Sequence, residues 1–146
     1  MGDNSFKPPK LRQSSGEIGL SKSASSHADG YDYPVFCFKY LHKEYDIDKC
    51  CIKSDKKFLR GFVKKLKLLS DLTWSSIKLS DRTGHGAEKI AKNSIKVSIP
   101  ASITNDVEEF LSFYFAGDKG RIIGFQDSNI FHVVYIDTDL SVYNHA

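Results

Sequence analysis

Apolar side chains are sparse at the start of the chain and then arrive in runs whose spacing changes from segment to segment. Over residues 1–30 little more than Phe6, Leu11, Ile18 and Leu20 interrupts a background of Ser, Gly and Lys, with Pro8 and Pro9 early. Such a stretch cannot bury enough surface to offset its ordering entropy, which predicts a disordered tail over 1–30 and one folded domain over 31–146. From Tyr33 to Leu41 the pattern alternates, with Phe36, Phe38 and Tyr40 on one face and Val35, Cys37 and Lys39 on the other. This predicts a strand whose aromatic face turns inward, with Pro34 at its first position, where a missing N–H is tolerated. A polar stretch from His42 to Ile52 reads as turn. Then Phe58, Leu59, Phe62, Val63, Leu66 and Leu69 recur at helical spacing. Ser54 is placed to cap that helix, Asp55 to favour its first turn, and Ser70-Asp71 to end it. A second short helix is expected after Thr73, with Trp74, Ile77 and Leu79 packed inward.

The remainder reads as sheet. A polar loop, 81–90, carries Gly84 and Gly86 on either side of His85. Ile95, Val97 and Ile99 alternate with polar residues over 92–99, predicting a strand that Pro100 stops. The β-rich runs 110–115, 121–126 and 130–136 are separated by a Gly117–Gly120 turn and by Asp127-Ser128-Asn129, so they predict an antiparallel meander. A further short run, Leu140–Tyr143, follows Asp137-Thr138-Asp139. The expected class is α+β: a small antiparallel sheet packed against two helices that precede it.

Composition changes this picture little until the charges are placed. A formal charge of +3 and a pI near 8.7 are mildly basic, so clustering has to carry any argument for an anionic partner. Lys56, Lys57, Arg60, Lys64, Lys65 and Lys67 fall on the helix without an intervening acid. That run suits a solvated face, an acidic protein partner, or a phosphate backbone bound through sequence-independent attraction. Arg82 and Lys89 flank His85, a combination that suits an anion site or a plain surface turn. Cys37, Cys50 and Cys51 are odd in number and lack C-x-x-C spacing, and the N-terminus lacks an apolar leader core. These features predict buried thiols and a reducing, cytoplasmic setting. No apolar run approaches the ~18 residues of a membrane span. His27, His42, His85, His132 and His145 never pair at i, i+4, and neither a Walker loop, a dinucleotide glycine pattern nor a G-x-S-x-G elbow is present. No metal or cofactor is expected.

What remains for chemistry is Arg121, His85, His132, Tyr143 and His145. Cations, imidazoles and a phenol around a small sheet suit RNA cleavage by attack of a 2′-hydroxyl on its own phosphate. That reaction needs a base, a cation for the phosphorane and an acid for the leaving oxygen. The runs Arg121–Phe125 (RIIGF), Phe131–Asp137 (FHVVYID) and Val142–His145 (VYNH) resemble the RelE/ParE toxin superfamily, mainly over 110–145. The resemblance implies a ribosome-dependent mRNA endoribonuclease with Arg121, Tyr143 and His145 at the scissile phosphate; His85 is added to them as a catalytic candidate from the set of imidazoles and cations, not from the resemblance. It also implies RNA, the ribosome and a cognate antitoxin protein as partners. One departure stands out: Asp137, Thr138 and Asp139 occupy the stretch where that superfamily carries a basic residue. The competing expectation is a non-catalytic nucleic-acid- or partner-binding domain that uses the 56–67 face.

Overall fold

The computed structural model describes Ile18, residues 32–48 and residues 56–145. The predicted helix cap at Ser54-Asp55, the Cys50-Cys51 pair and, Ile18 apart, the 1–30 segment lie outside the described residues. The fold is α+β. Its elements are β1 (Val35–Cys37), α1 (Lys56–Ser70), α2 (Trp74–Leu79), β2 (Glu88–Ala91), β3 (Glu109–Phe115), β4 (Gly120–Asp127) and β5 (Ile130–Asp137). The strands form one sheet in the order β1-β5-β4-β3-β2. The antiparallel meander of the sequence reading is β3 through β5, and β2, from the end of the expected 81–90 loop, adds a further antiparallel strand at its edge. The first strand lies parallel to the last, Val35 opposite Ile130, so the sheet is mixed.

Both faces of the sheet are covered. On one face Phe113, Phe115, Ile122, Phe131, Val133 and Ile136 pack under the helices, meeting Phe62 and Leu69 of α1 and Trp74 and Ile77 of α2. The helix backbone comes close because Gly61 has no side chain: a Cβ there would lie 3.0 Å from that of Ala116. Thr73 caps α2, its hydroxyl accepting from the Ser76 N–H at 3.1 Å, and the Trp74 indole donates to the Asn129 carbonyl at 3.0 Å. Three apolar residues expected inward instead face outward. Leu59 and Val63 are 38 % and 55 % exposed, because Phe62 and Leu69 carry the contact line. Leu79 is 89 % exposed; five residues beyond Trp74, it is turned well away from the buried Trp74–Ile77 line.

The opposite face carries Phe110, Ile123, Phe125, Val134 and Tyr135. It is covered by irregular chain: Tyr45, Ile103, Val107, Val142 and Tyr143, with Ile95, Val97, Ile99 and Ile18 partly buried against them. Here the predicted 92–99 strand is corrected. The pairing strand is Glu88–Ala91, and Lys92–Ser94 is a 3-10 turn. Ile95, Val97 and Ile99 do turn inward, but their segment lies across the sheet face. Its backbone bonds to the chain end, Lys96 N–H to the Val142 carbonyl at 2.8 Å. The 33–41 strand is likewise cut to three residues, and Leu41 N–H turns back to the Phe38 carbonyl.

A bulge sets which residues face which layer. Ile123 pairs with Tyr135 and Gly124 with Val133, so Val134 is the extra residue. Val134 and Tyr135 therefore serve the same core in succession, and Ile136 returns to the helix side. Gly124 permits the crowding, since a Cβ there would sit 1.9 Å from the His132 carbonyl oxygen. No helix among the described residues is long and apolar enough to cross a membrane.

Candidate functional site

Register alone places one row of polar side chains on the loop-covered face. Tyr114 of β3 pairs with Arg121 of β4, and Arg121 pairs with Asp137 of β5. Residues two apart share a face, so Ser112 of β3 belongs to the same surface, and its partner Glu88 of β2 extends it to the edge. Arg121 is 5 % exposed. Its guanidinium lies over the Tyr114 ring, 3.6 Å from the centroid, and one nitrogen donates to the carbonyls of Asp118 at 2.6 Å and Gly120 at 3.0 Å. Its Nε has no acceptor, and no carboxylate forms an ion pair with it among the described residues. Carbonyl dipoles and an aromatic ring lie against this buried cation, and Asp137 stands across from it on the next strand without an ion-pair contact among the described residues.

The chain end folds back over this row. Asp137 is buried and its carboxylate accepts from the N–H groups of Asp139 at 3.1 Å and Val142 at 2.9 Å. Leu140 takes a positive φ of 56° at the reversal, a conformation that costs a branched side chain energy. The turn delivers Tyr143 into the sheet, its hydroxyl 2.9 Å from both Glu88 Oε2 and Ser112 Oγ. His145 follows at the surface, its ring 4.1 Å from that of Tyr143. Lys96 holds the same end by a 3.1 Å bond to Asn144 Oδ1. Arg121, Tyr143 and His145, separated by up to 24 positions in sequence, are thus brought together.

The electrostatics assign them different capacities. Burial pushes the Tyr143 phenol up to about 12; the Ser112 bond and the Arg121 guanidinium oppose this, while Glu88 adds to it. At neutral pH Tyr143 is therefore a neutral hydrogen-bond donor. Burial and the Arg121 charge hold the His145 imidazole below its usual 6.5, with Asp137 and Glu88 pulling the other way and Lys96 adding to the depression. A neutral, exposed imidazole beside a fixed cation can accept a proton. Among the described residues no group of three or more His, Cys, Asp or Glu side chains is placed to hold a metal ion.

The other expected site residues lie elsewhere. His85 is exposed on the 81–87 loop and lines a hollow with Lys64, Lys65 and Tyr114. His132 is a core residue, stacked on Phe125 at 4.9 Å with Tyr40 at its edge. It lies five positions along β5 from Asp137, roughly 16 Å at ~3.3 Å per residue. Of the cations, Lys67 pairs with Asp71, Arg82 with Glu88, and Lys89 with Glu109. Lys56, Lys57, Arg60 and Lys64 project outward from α1 and Lys65 is half-buried. The sequence reading missed Tyr114, Ser112, Glu88 and Lys96 as partners of the site. Only the two-residue repeat within each strand hinted at Ser112 and Tyr114, because cross-strand neighbours become visible only with the register. Comparison of the chain with family models, curated proteins and solved structures finds no match.

Proposed function

We propose that the chain is a metal-independent endoribonuclease of the toxin type, cutting mRNA by attack of a 2′-hydroxyl on the adjoining phosphate. The observation that carries this reading is the meeting of Arg121, Tyr143 and His145 at one end of the β3–β4–β5 sheet. In this mechanism His145 takes the 2′ proton, being exposed and held neutral near pH 7. The resulting imidazolium returns that proton to the departing 5′ oxygen. Arg121 stabilises the dianionic phosphorane through its field from below the surface, where low dielectric strengthens it. Tyr143 is a positioning residue: its hydroxyl is anchored on Glu88 and Ser112, and its ring supports that of His145. The test is incubation of the purified protein with end-labelled mRNA, with and without ribosomes. Products ending in a 2′,3′-cyclic phosphate are expected, with a loss of roughly 10²–10⁴ in rate for His145→Gln. Intact RNA after incubation with folded wild-type protein, in both conditions, would overturn the proposal.

The second reading is a basic binding surface without scission. It is favoured by one specific observation: Lys56, Arg60 and Lys64 repeat every four residues along α1, exposed and without a carboxylate partner among the described residues. Salt-sensitive RNA binding with no product under any condition would select this reading.

A further inference from the structure

Two hollows open on the helix side of the sheet, and they differ in charge. The one between α2, β2 and β3, about 520 Å³, has Trp74, Ile77 and Leu111 in its walls and Asp106, Glu108 and Glu109 among its polar groups. The other, about 400 Å³, lies between α1, the 81–87 loop and the β3–β4 turn, and no acidic residue lines it. Lys64, Lys65, Thr83, His85, Tyr114 and Gly117 supply its polar and aromatic surface. Gly117, at φ 72°, contributes backbone with nothing within 4 Å of where a Cβ would stand, leaving that wall open to an incoming group.

The charges here are under-neutralised. The Lys65 ammonium makes a long 3.5 Å approach to the Gly84 carbonyl and no ion pair among the described residues, and burial pushes it below the usual lysine value. Lys64 is exposed beside it without an ion pair among the described residues. The cations that the chain order puts next to His85, Arg82 and Lys89, are each bound to a carboxylate instead. Two ammonium groups, an imidazole and a hydroxyl around an acid-free hollow make a site for a tetrahedral oxyanion. Tyr114 lines this hollow where β3 ends, while its ring turns to the other face of the sheet, against the Arg121 guanidinium.

We infer that the Lys64–Lys65–His85 hollow is a phosphate-binding subsite, and that under the ribonuclease reading, on which this assignment of its occupant rests, it seats a backbone phosphate of the same RNA strand away from the scissile one. The subsite holds the strand in register, and the exposed stripe of α1 continues its track.

The experiment is a titration of the full chain followed by the ring NMR signals of His85. Inorganic phosphate should shift them saturably. Lys65→Met should weaken that binding about tenfold or more, the loss typical of a charge-assisted bond, and Lys43→Met, remote on an exposed turn, should leave it unchanged. Lys64→Met, at an exposed position, gives the same readout should Lys65→Met disturb folding. A 2′-O-methyl RNA oligonucleotide, which has no attacking hydroxyl, then separates the sources. Equal binding with a 5′-hydroxyl or a 5′-phosphate supports a backbone phosphate; binding only with the 5′-phosphate overturns that assignment in favour of a strand end. A phosphate response without binding of either oligonucleotide keeps the anion site and removes the RNA reading. No saturable response to phosphate, or the same response in both lysine variants, overturns the subsite itself.

Discussion

Tyr143 shows how one side chain ties the chain end to the sheet. Its hydroxyl is buried between Glu88 and Ser112, so Tyr143→Phe leaves their polar atoms short of a partner and should cost about 1–2 kcal/mol, read from urea unfolding. On the ribonuclease proposal Tyr143 positions His145 and does not itself move a proton, so that variant should lower kcat while leaving the pH profile in place. On the same proposal the profile belongs to His145. With its folded value depressed below 6.5, the base stays active to lower pH than a free histidine would, and the acid limb of the kcat/KM curve should have its midpoint below 6.5. His145→Gln should remove the limb. The linkage has the same sign: the unfolded chain binds the proton first, so the contribution of His145 to stability is complete above 6.5 and falls away as pH drops through the lowered value. The types of these residues are legible in the sequence, because cations, imidazoles and phenols are rare within apolar runs. Their roles are not, since burial and neighbouring charge set the proton affinities and both are products of packing.

At the level of elements, α1 carries two jobs on one cylinder. Phe62 and Leu69 face the sheet while Lys56, Arg60 and Lys64 face away. Charge reversal of Arg60 and Lys64 to Glu should weaken RNA binding and reduce the salt slope by about one for each phosphate that is no longer neutralised. The melting temperature should hardly change, because these side chains make no buried contact. The β4–β5 hairpin is more demanding. Gly124→Ala would drive a methyl into the His132 carbonyl and should destabilise the chain by about 3 kcal/mol, measured by denaturant unfolding. The helix and hairpin are legible because periodicities of 3.6 and 2 survive in the sequence. Leu59, Val63 and Leu79 read as core and are not, because an apolar residue near the right phase still stays outside when the facing surface is already filled. The 92–99 segment misleads for a related reason. Alternation reports which side chains turn inward, and Ile95, Val97 and Ile99 do so, but it says nothing about which backbone satisfies their N–H groups.

For the whole molecule, Asp137 is the closure. It ends the last strand, sits across from Arg121, and accepts from two N–H groups of the chain that returns over the sheet. Asp137→Ala should release that return: a loss of about 2 kcal/mol from the orphaned donors, disappearance of the Tyr143–His145 ring contact in NMR spectra, and a fall in cleavage larger than the loss of stability explains. The aspartates at 137 and 139 stand where the toxin superfamily resemblance expects a basic residue. In this chain Asp137 holds the backbone of the chain end and stands across from Arg121 on the neighbouring strand.

By itself the sequence determined the α+β class, the order of helices before the meander, and the identity of the residues able to handle protons and phosphate. These follow from local spacing, which hydrophobic burial enforces wherever a helix or strand has one inward face. Tertiary structure alone decided that β1 would close the sheet in parallel, that Arg121, Tyr143 and His145 would meet at one end of it, and that His85 would face Lys64 and Lys65 and not its own neighbours in the chain. Strand order, register and the path of the returning chain end are choices between distant segments, made by filling two cores at once, and no short-range pattern carries them.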